Sequence, residues 1–158
     1  MNLAELSEQI QIEQNNLSLT NIEIQNLIKI VESKNPISPT THERAAFASY
    51  TTSLYNGIEN ILKRICKYKS ISVPKGESSH SELLSLFSEP SEMGIPLLFS
   101  EELYDEIDEL RRFRHFAFHN YSIQVKWERI KPILYKIDLT LKSFDESVNQ
   151  FLSKEISK

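Results

Sequence analysis

Apolar side chains recur every three or four residues in five separate segments, and this spacing strongly limits how the chain can fold. An α-helix of 3.6 residues per turn places such residues on one face, whereas a half-buried strand would require alternation. The predicted helices cover about residues 2–33, 41–69, a short stretch from 79, a stretch that begins at 101, and 127–152. Helices with one apolar face bury it against each other. The sequence therefore predicts an all-α, up-and-down bundle of about five helices.

Residues at the expected helix ends agree with this division. Thr40 or Thr41 can cap the second helix, and Ser100 can cap the fourth. Ser79 and Glu82 have the spacing of a capping box at the start of the third helix. Gly57 inside the second helix is its one weak point, because glycine loses more conformational freedom than other residues when it becomes helical.

Composition sets the expected size and the compartment. A chain of 158 residues with 40% hydrophobic residues fits a single domain over residues 1–158. The single cysteine, Cys66, excludes an intramolecular disulfide and a zinc site built from cysteines alone, which fits a reducing cytoplasm. No apolar run approaches the roughly 18 residues that span a bilayer, and the start of the chain does not resemble a signal peptide. We therefore expect a cytoplasmic protein without a membrane partner.

The charge balance bears on nucleic-acid binding. The formal net charge is −4 and the pI is about 5.6. A protein that coats nucleic acid through bulk electrostatics would be basic. Any contact with nucleic acid must therefore be made by a limited part of the surface.

The segment "RRFRHFAFHNY", residues 111–121, concentrates the chemically interesting side chains. Arg111 and Arg112 each have Asp108 three or four residues back, so they can be ordinary solvated ion pairs of a helix end. Arg114 lies on the same arc as the apolar stripe, and no carboxylate lies three or four residues from it on either side. A partly buried cation needs compensation. The sequence leaves open whether a partner helix, a second subunit or an anionic ligand provides it.

The histidines have several possible roles. His42 and His80 look like cap or surface positions. His115 and His119 are four residues apart and could hold a metal, but no nearby carboxylate or thiolate completes the usual ligands, so no metal site is predicted. His119 is about 140° around an ideal helix from Arg114. The two can meet only if the helix ends early or if a two-fold axis brings together copies from two subunits.

Residues 114–121, "RHFAFHNY", match the R-x4-H-x-Y signature of HEPN-domain ribonuclease toxins of the HepT type. Four further segments resemble the HepT-like domain in the same order, so that the similarity covers about residues 40–150. They are "LYNGIENILKRI" at 54–65, "PKGESSHSELL" at 74–84, "SEELYDEIDELRRFRH" at 100–115 and "WERIKP" at 127–132.

The resemblance implies a HEPN helical bundle that forms a homodimer, in which Arg114 and His119 of both subunits line one cleft. It implies a metal-independent endoribonuclease that needs no cofactor and cleaves RNA, either tRNA or mRNA, by attack of the 2′-OH on the adjacent phosphate. Flanking phosphates have four candidate contacts, although the first two are also expected in surface ion pairs. They are Arg111, Arg112, His115 and Lys126.

The resemblance also gives Tyr121 a role beyond that of a half-buried aromatic. In HepT-like toxins this tyrosine is the acceptor of AMP from a cognate minimal nucleotidyltransferase antitoxin of the MntA type. Two alternatives come from other classes of protein. One is a noncatalytic substrate-binding or scaffold subunit of a nucleotidyltransferase complex, and the other is a purely structural helical dimer.

Overall fold

In a computed structural model, residues 1–120 and 124–158 are described, and these residues form five α-helices without a strand. The helices are α1 (Leu3–Glu32), α2 (Thr41–Tyr68), α3 (Ser79–Leu86), α4 (Glu101–His119) and α5 (Trp127–Ile156). The predicted all-α fold class is confirmed, and the helix ends fall close to the predicted ones. α5 alone continues one turn further than its apolar stripe suggested.

The four long helices form a closed ring in which α1 contacts α2 and α5, and α4 contacts the same two helices. Along each pair of neighbouring helices, contacts that lie further along one helix lie further back along the other. These neighbours are therefore antiparallel. The contacts are Glu13–Asn60 and Gln9–Arg64 for α1 and α2, Gln14–Asn149 and Asn21–Asp138 for α1 and α5, and Glu106–Thr140 and Phe116–Arg129 for α4 and α5. This is an up-and-down bundle. The short helix α3 contacts α2 and α4.

The core is built from the predicted apolar stripes. The stripe of α5 from Ile130 to Phe151 is buried, and Phe47 of α2 packs beside the half-buried Trp127 with ring centroids 5.6 Å apart. Aromatic rings fill much of the centre. The largest fully buried side chains are Tyr55, Phe47, Phe87, Phe113 and Phe144.

Gly57, predicted to be a weak point of α2, has a packing role. A Cβ atom at this position would lie 2.7 Å from Cδ2 and 3.3 Å from Cγ of Leu17 in α1. The missing side chain therefore lets α1 and α2 approach closely, which offsets the low helix propensity of glycine.

Two of the predicted caps are confirmed and one is wrong. Thr40 accepts a hydrogen bond from the backbone N–H of Glu43, whose carboxylate bonds back in a capping box, and Ser100 caps α4. At α3 the N-cap position is Ser78, and its side chain makes no capping bond. The chain enters α3 through a turn at Gly76, with Ser79 N–H bonded to the Gly76 carbonyl, so the predicted Ser79 capping box does not form.

No helix among the described residues is long and apolar enough to cross a membrane.

Candidate functional site

The last three turns of α4 carry the residues singled out from the sequence. Leu110 and Phe113 are buried in the core, which places Arg114 at the edge of the packed face, half-buried toward α2 and α3. α4 ends at His119, and Asn120 leaves the helix in an extended conformation with φ −132° and ψ 159°. α4 thus ends one residue beyond Phe118, close to the early end that was one of the two alternatives left open by the sequence.

Arg114 finds its partners on other helices. Its Nε donates a hydrogen bond to Oδ1 of Asn56 in α2 at 2.8 Å, and a terminal guanidinium nitrogen lies 3.4 Å from Nε2 of His80 in α3. Among the alternatives left open by the sequence, the structure provides the partner helix. Asn56 and His80 are not carboxylates, so these two contacts orient the guanidinium without placing an opposite charge directly on it.

Two aromatic rings border the same guanidinium. The Phe118 ring centroid lies 4.6 Å from Cζ of Arg114, and the Tyr55 centroid lies 5.9 Å from it. Burial, and then the negative charge of Glu59, raise the pKa of the Tyr55 phenol above its ordinary value of 10.0. The Tyr55 side chain is therefore uncharged where its ring lies under the guanidinium of Arg114. Phe118 is 63% exposed, and its ring lies on the solvent side of the guanidinium.

A buried carboxylate stands behind His80. Glu59 of α2 is only 2% exposed, and both its oxygens lie close to Nδ1 of His80, at 2.6 and 2.8 Å. Lys63 approaches the same carboxylate at 3.6 Å. A buried carboxylate is costly unless it is hydrogen-bonded and paired, and these contacts supply that compensation. Glu59, His80 and Arg114 thus form a continuous polar chain across three helices.

The expectation that His80 is a cap or surface residue is met only in part. Its side chain remains 36% exposed, but both ring nitrogens face the polar chain. Sequence reasoning missed it because His80 and Glu59 are 21 residues apart and meet only through the turn between α2 and α3. One sequence signal was available. Glu59 stands next to Ile58 and two residues before Ile61, both of which are core positions, and a carboxylate so placed needs a partner.

His115 and His119 occupy a different part of the α4 surface. Their ring centroids are 4.4 Å apart, and both side chains are exposed. Within residues 1–120 and 124–158, no group of three histidine, cysteine or acidic side chains could hold a metal ion. Arg114 bonds toward α2 and α3, while His119 lies beside His115 at the exposed helix end. The structure therefore brings Arg114 together with His80 rather than with His119.

Arg111 and Arg112 both pair with Asp108, as predicted from their spacing. Nε of Arg111 lies 2.6 Å from one carboxylate oxygen and Nε of Arg112 lies 3.3 Å from the other. The hydrogen bond to Asp108 raises the pKa of the Arg111 guanidinium. The Arg112 side chain is 63% exposed and the Arg111 side chain 25%. Arg112 is therefore the freer of the two to meet a ligand, and contact of either with RNA phosphate stays a prediction.

Two further predicted residues lie beyond the end of α4. Lys126 is exposed and occupies the N-cap position of α5, where its side chain makes no capping bond. Tyr121, the expected AMP acceptor, lies outside the described residues.

An open groove of about 340 Å³ runs between α2 and the end of α4, next to Phe118. Small side chains form most of its lining. Its lining residues are Ala45, Ala48, Ser49, Thr52, Ser53, Ala117 and Phe118.

Comparison with known proteins identifies the family. A family model described as HepT-like protein matches residues 46–155, or 110 of the 158 residues. The matched range includes Asn56, Glu59, His80 and Arg114 and leaves out α1. No curated protein and no solved structure matches the chain. Because the match covers more than half of the sequence, the chain belongs to the HepT-like family, whose members are HEPN-type components of toxin–antitoxin systems.

Proposed function

We propose that the protein is the toxin of a toxin–antitoxin pair and acts as a metal-independent endoribonuclease. The observation that carries the proposal is the position of the Arg114 guanidinium and its contacts. This guanidinium is half-buried, oriented by Asn56 and His80, and bonded to no carboxylate in those contacts. A fixed, permanently charged fork of this kind matches the oxygens of a phosphate.

The proposed reaction is transesterification within RNA. The 2′-OH attacks the adjacent phosphorus while a base removes its proton, and the bond from phosphorus to the 5′-oxygen breaks as an acid protonates that oxygen. The products are a 2′,3′-cyclic phosphate and a free 5′-OH. Arg114 stabilises the extra negative charge of the transition state. His119 transfers the protons, because an imidazole titrates near neutrality.

A second subunit can bring Arg114 and His119 into one site. Within one chain, Arg114 bonds toward α2 and α3 and His119 lies at the exposed end of α4 beside His115. In a homodimer with a two-fold axis near this end, both copies of each residue can line one cleft. The exposed Phe118 ring and the adjacent groove of small residues support a contact here.

Flanking phosphates of the RNA would meet cations around the same end of the bundle. Arg112 and Lys126 are exposed, His115 lies beside His119, and Arg111 is held by Asp108. Because the chain is acidic overall, binding depends on this local positive potential.

Tyr121 is the proposed site of neutralisation. A cognate minimal nucleotidyltransferase would transfer AMP from ATP to the phenol oxygen, with loss of pyrophosphate. Tyr121 is two residues beyond His119 in the chain, so the added phosphate and base would compete with RNA for the cleft. Mass spectrometry tests this step. Incubation with the antitoxin and ATP should add AMP to the wild-type protein and not to Tyr121→Phe, and full modification of that variant would move the site elsewhere.

The ribonuclease function is tested with Arg114→Ala and His119→Ala. Both side chains reach the protein edge, so both variants should keep the circular-dichroism spectrum of the wild type and lose RNA cleavage and growth arrest. His42→Ala, an exposed histidine at the start of α2, is the matched control and should cleave normally. Near wild-type cleavage by either of the first two variants would remove that residue from the mechanism. A wild-type protein that binds RNA and leaves it intact would instead favour the scaffold-subunit alternative.

A further inference from the structure

The polar chain of Glu59, His80 and Arg114 fixes the tautomer of an imidazole. Nδ1 of His80 faces both oxygens of Glu59, which can only accept hydrogen bonds when ionised, so Nδ1 carries the proton. Nε2 faces a guanidinium nitrogen of Arg114, which can only donate. Both contacts are satisfied together by one form of the ring, the neutral imidazole protonated on Nδ1.

We infer that Glu59 and His80 form a positioning pair that holds the guanidinium of Arg114 in place for the phosphate of the substrate. This inference rests on the proposed ribonuclease function and adds two residues to its site. Neither residue needs to touch RNA. Glu59 orients the imidazole, and the bare Nε2 then accepts a hydrogen bond from Arg114.

The burial pattern explains why the pair can act as a fixed support. Glu59 is almost fully buried and belongs to α2, whose neighbouring residues Ile58 and Ile61 are locked in the core. The hydrogen bond from Nδ1 therefore attaches α3 to a rigid element. Outer hydrogen-bond partners of this kind keep a site residue in one orientation. A displacement of the site residue by about 1 Å can lower the reaction rate substantially.

The charges around His80 favour the same arrangement. Glu59, which also pairs with Lys63, faces it from α2, and Arg114 faces it from α4. A neutral imidazole between Glu59 and Arg114 links a negative and a positive group without adding a charge. When an amide replaces the orienting carboxylate, an imidazole can take the opposite tautomer. In Glu59→Gln, a proton on Nε2 would then face the N–H groups of Arg114 and release the guanidinium.

Nitrogen-15 NMR of the imidazole tests the pair without any activity measurement. At pH 8.5 the full-length wild-type protein should show the His80 ring as the Nδ1–H tautomer, assigned by its loss in His80→Gln. Glu59→Gln should shift the ring toward the Nε2–H tautomer or a mixture. A wild-type ring protonated on Nε2, or on both nitrogens, would overturn the inference because Nε2 could not accept from Arg114.

A double-mutant cycle tests whether the pair acts through Arg114. We expect His80→Gln and Glu59→Gln to lower kcat for cleavage of a short RNA by about ten- to hundredfold, with a smaller change in KM. The cycle uses Arg114→Lys, which keeps a positive charge but removes the guanidinium contacts with Asn56 and His80. Combining His80→Gln with Arg114→Lys should lower cleavage no further, within about twofold, than Arg114→Lys alone. Additive losses would show that His80 acts independently, and unchanged kcat in both single variants would overturn the inference. His42→Gln is the matched control.

The two proposals fail in different ways. A wild-type protein that cleaves no RNA refutes the ribonuclease function, whatever the state of His80. A wild-type protein that cleaves RNA while Glu59→Gln and His80→Gln cleave it equally well refutes the positioning pair alone. Thermal melts of each variant establish that any loss occurs in folded protein, and Glu59→Asp should restore part of the activity by keeping the carboxylate.

Discussion

Asn56 offers a sharp perturbation of the site, because its side chain is small and its bond to Arg114 is short. Asn56→Ala removes the acceptor that lies 2.8 Å from Nε of Arg114. A hydrogen bond to a charged group contributes about 1.5 to 3 kcal/mol. Alanine recovers about 0.5 kcal/mol through its higher helix propensity. We therefore expect the free energy of unfolding to fall by about 1 to 2.5 kcal/mol.

Asn60→Ala is the matched control for this change. Asn60 is one turn along α2, is also half-buried, and donates a long 3.4 Å bond to Glu13 of α1. The same gain in helix propensity applies there, while the bond lost is weaker. In urea unfolding, Asn56→Ala should therefore lose more stability than Asn60→Ala, by the contribution of the Arg114 bond less that of the weaker Asn60 bond.

The same pair of variants reports on function. If the bond to Asn56 keeps Arg114 oriented in the transition state, each 1.4 kcal/mol of lost stabilisation lowers kcat/KM about tenfold. We expect Asn56→Ala to cleave RNA about ten- to hundredfold more slowly than the wild type, and Asn60→Ala to cleave normally. Equal cleavage by the two variants would refute the argument that Asn56 orients Arg114.

Three further predictions concern stability and access. Gly57→Val should lower the free energy of unfolding by about 1 to 3 kcal/mol, measured in urea, because its side chain would collide with Leu17; unchanged stability would mean that α1 and α2 can separate freely. Burial raises the pKa of Glu155, but hydrogen bonds from Lys158, Lys69 and Tyr68 outweigh it and lower this pKa from 4.5 to about 2. Since the folded-state pKa is depressed, the wild type should be more stable than Glu155→Gln above about pH 5, and this difference should shrink as the pH falls toward 2. A difference in urea titrations that does not change with pH would contradict this. The Cys66 thiol is buried in the core, and burial also raises its pKa. Because a reagent cannot reach the buried sulfur, a thiol reagent at pH 8 should label it only as fast as the protein unfolds, and rapid labelling of native protein would show that the core opens.

Much of the fold could be predicted from the sequence because its determinants are local. The spacing of apolar residues sets the helices, and Thr40 and Ser100 cap two of them through side chains that reach three residues along the chain. The ion pairs of Arg111 and Arg112 with Asp108 follow from the same local geometry. Such interactions depend on the helix repeat alone.

The parts that sequence reasoning missed depend on contacts between distant segments. The start of α3 is set by the turn at Gly76, which overrides the capping-box spacing of Ser79. Gly57 looks like a defect until α1 is packed against it. Spacing along α4 showed that Arg114 lacked an intrahelical carboxylate, but only packing against α2 and α3 could identify its partners.

The most direct test of the account is the chemistry of the cleaved RNA ends. Purified wild-type protein and Arg114→Ala are incubated with a short RNA in excess EDTA, and the product ends are identified by mass spectrometry. We expect 2′,3′-cyclic phosphate and 5′-OH ends from the wild type, and intact RNA from Arg114→Ala. Cleavage that stops in EDTA, products with 5′-phosphate ends, or equal cleavage by the Arg114 variant would contradict it.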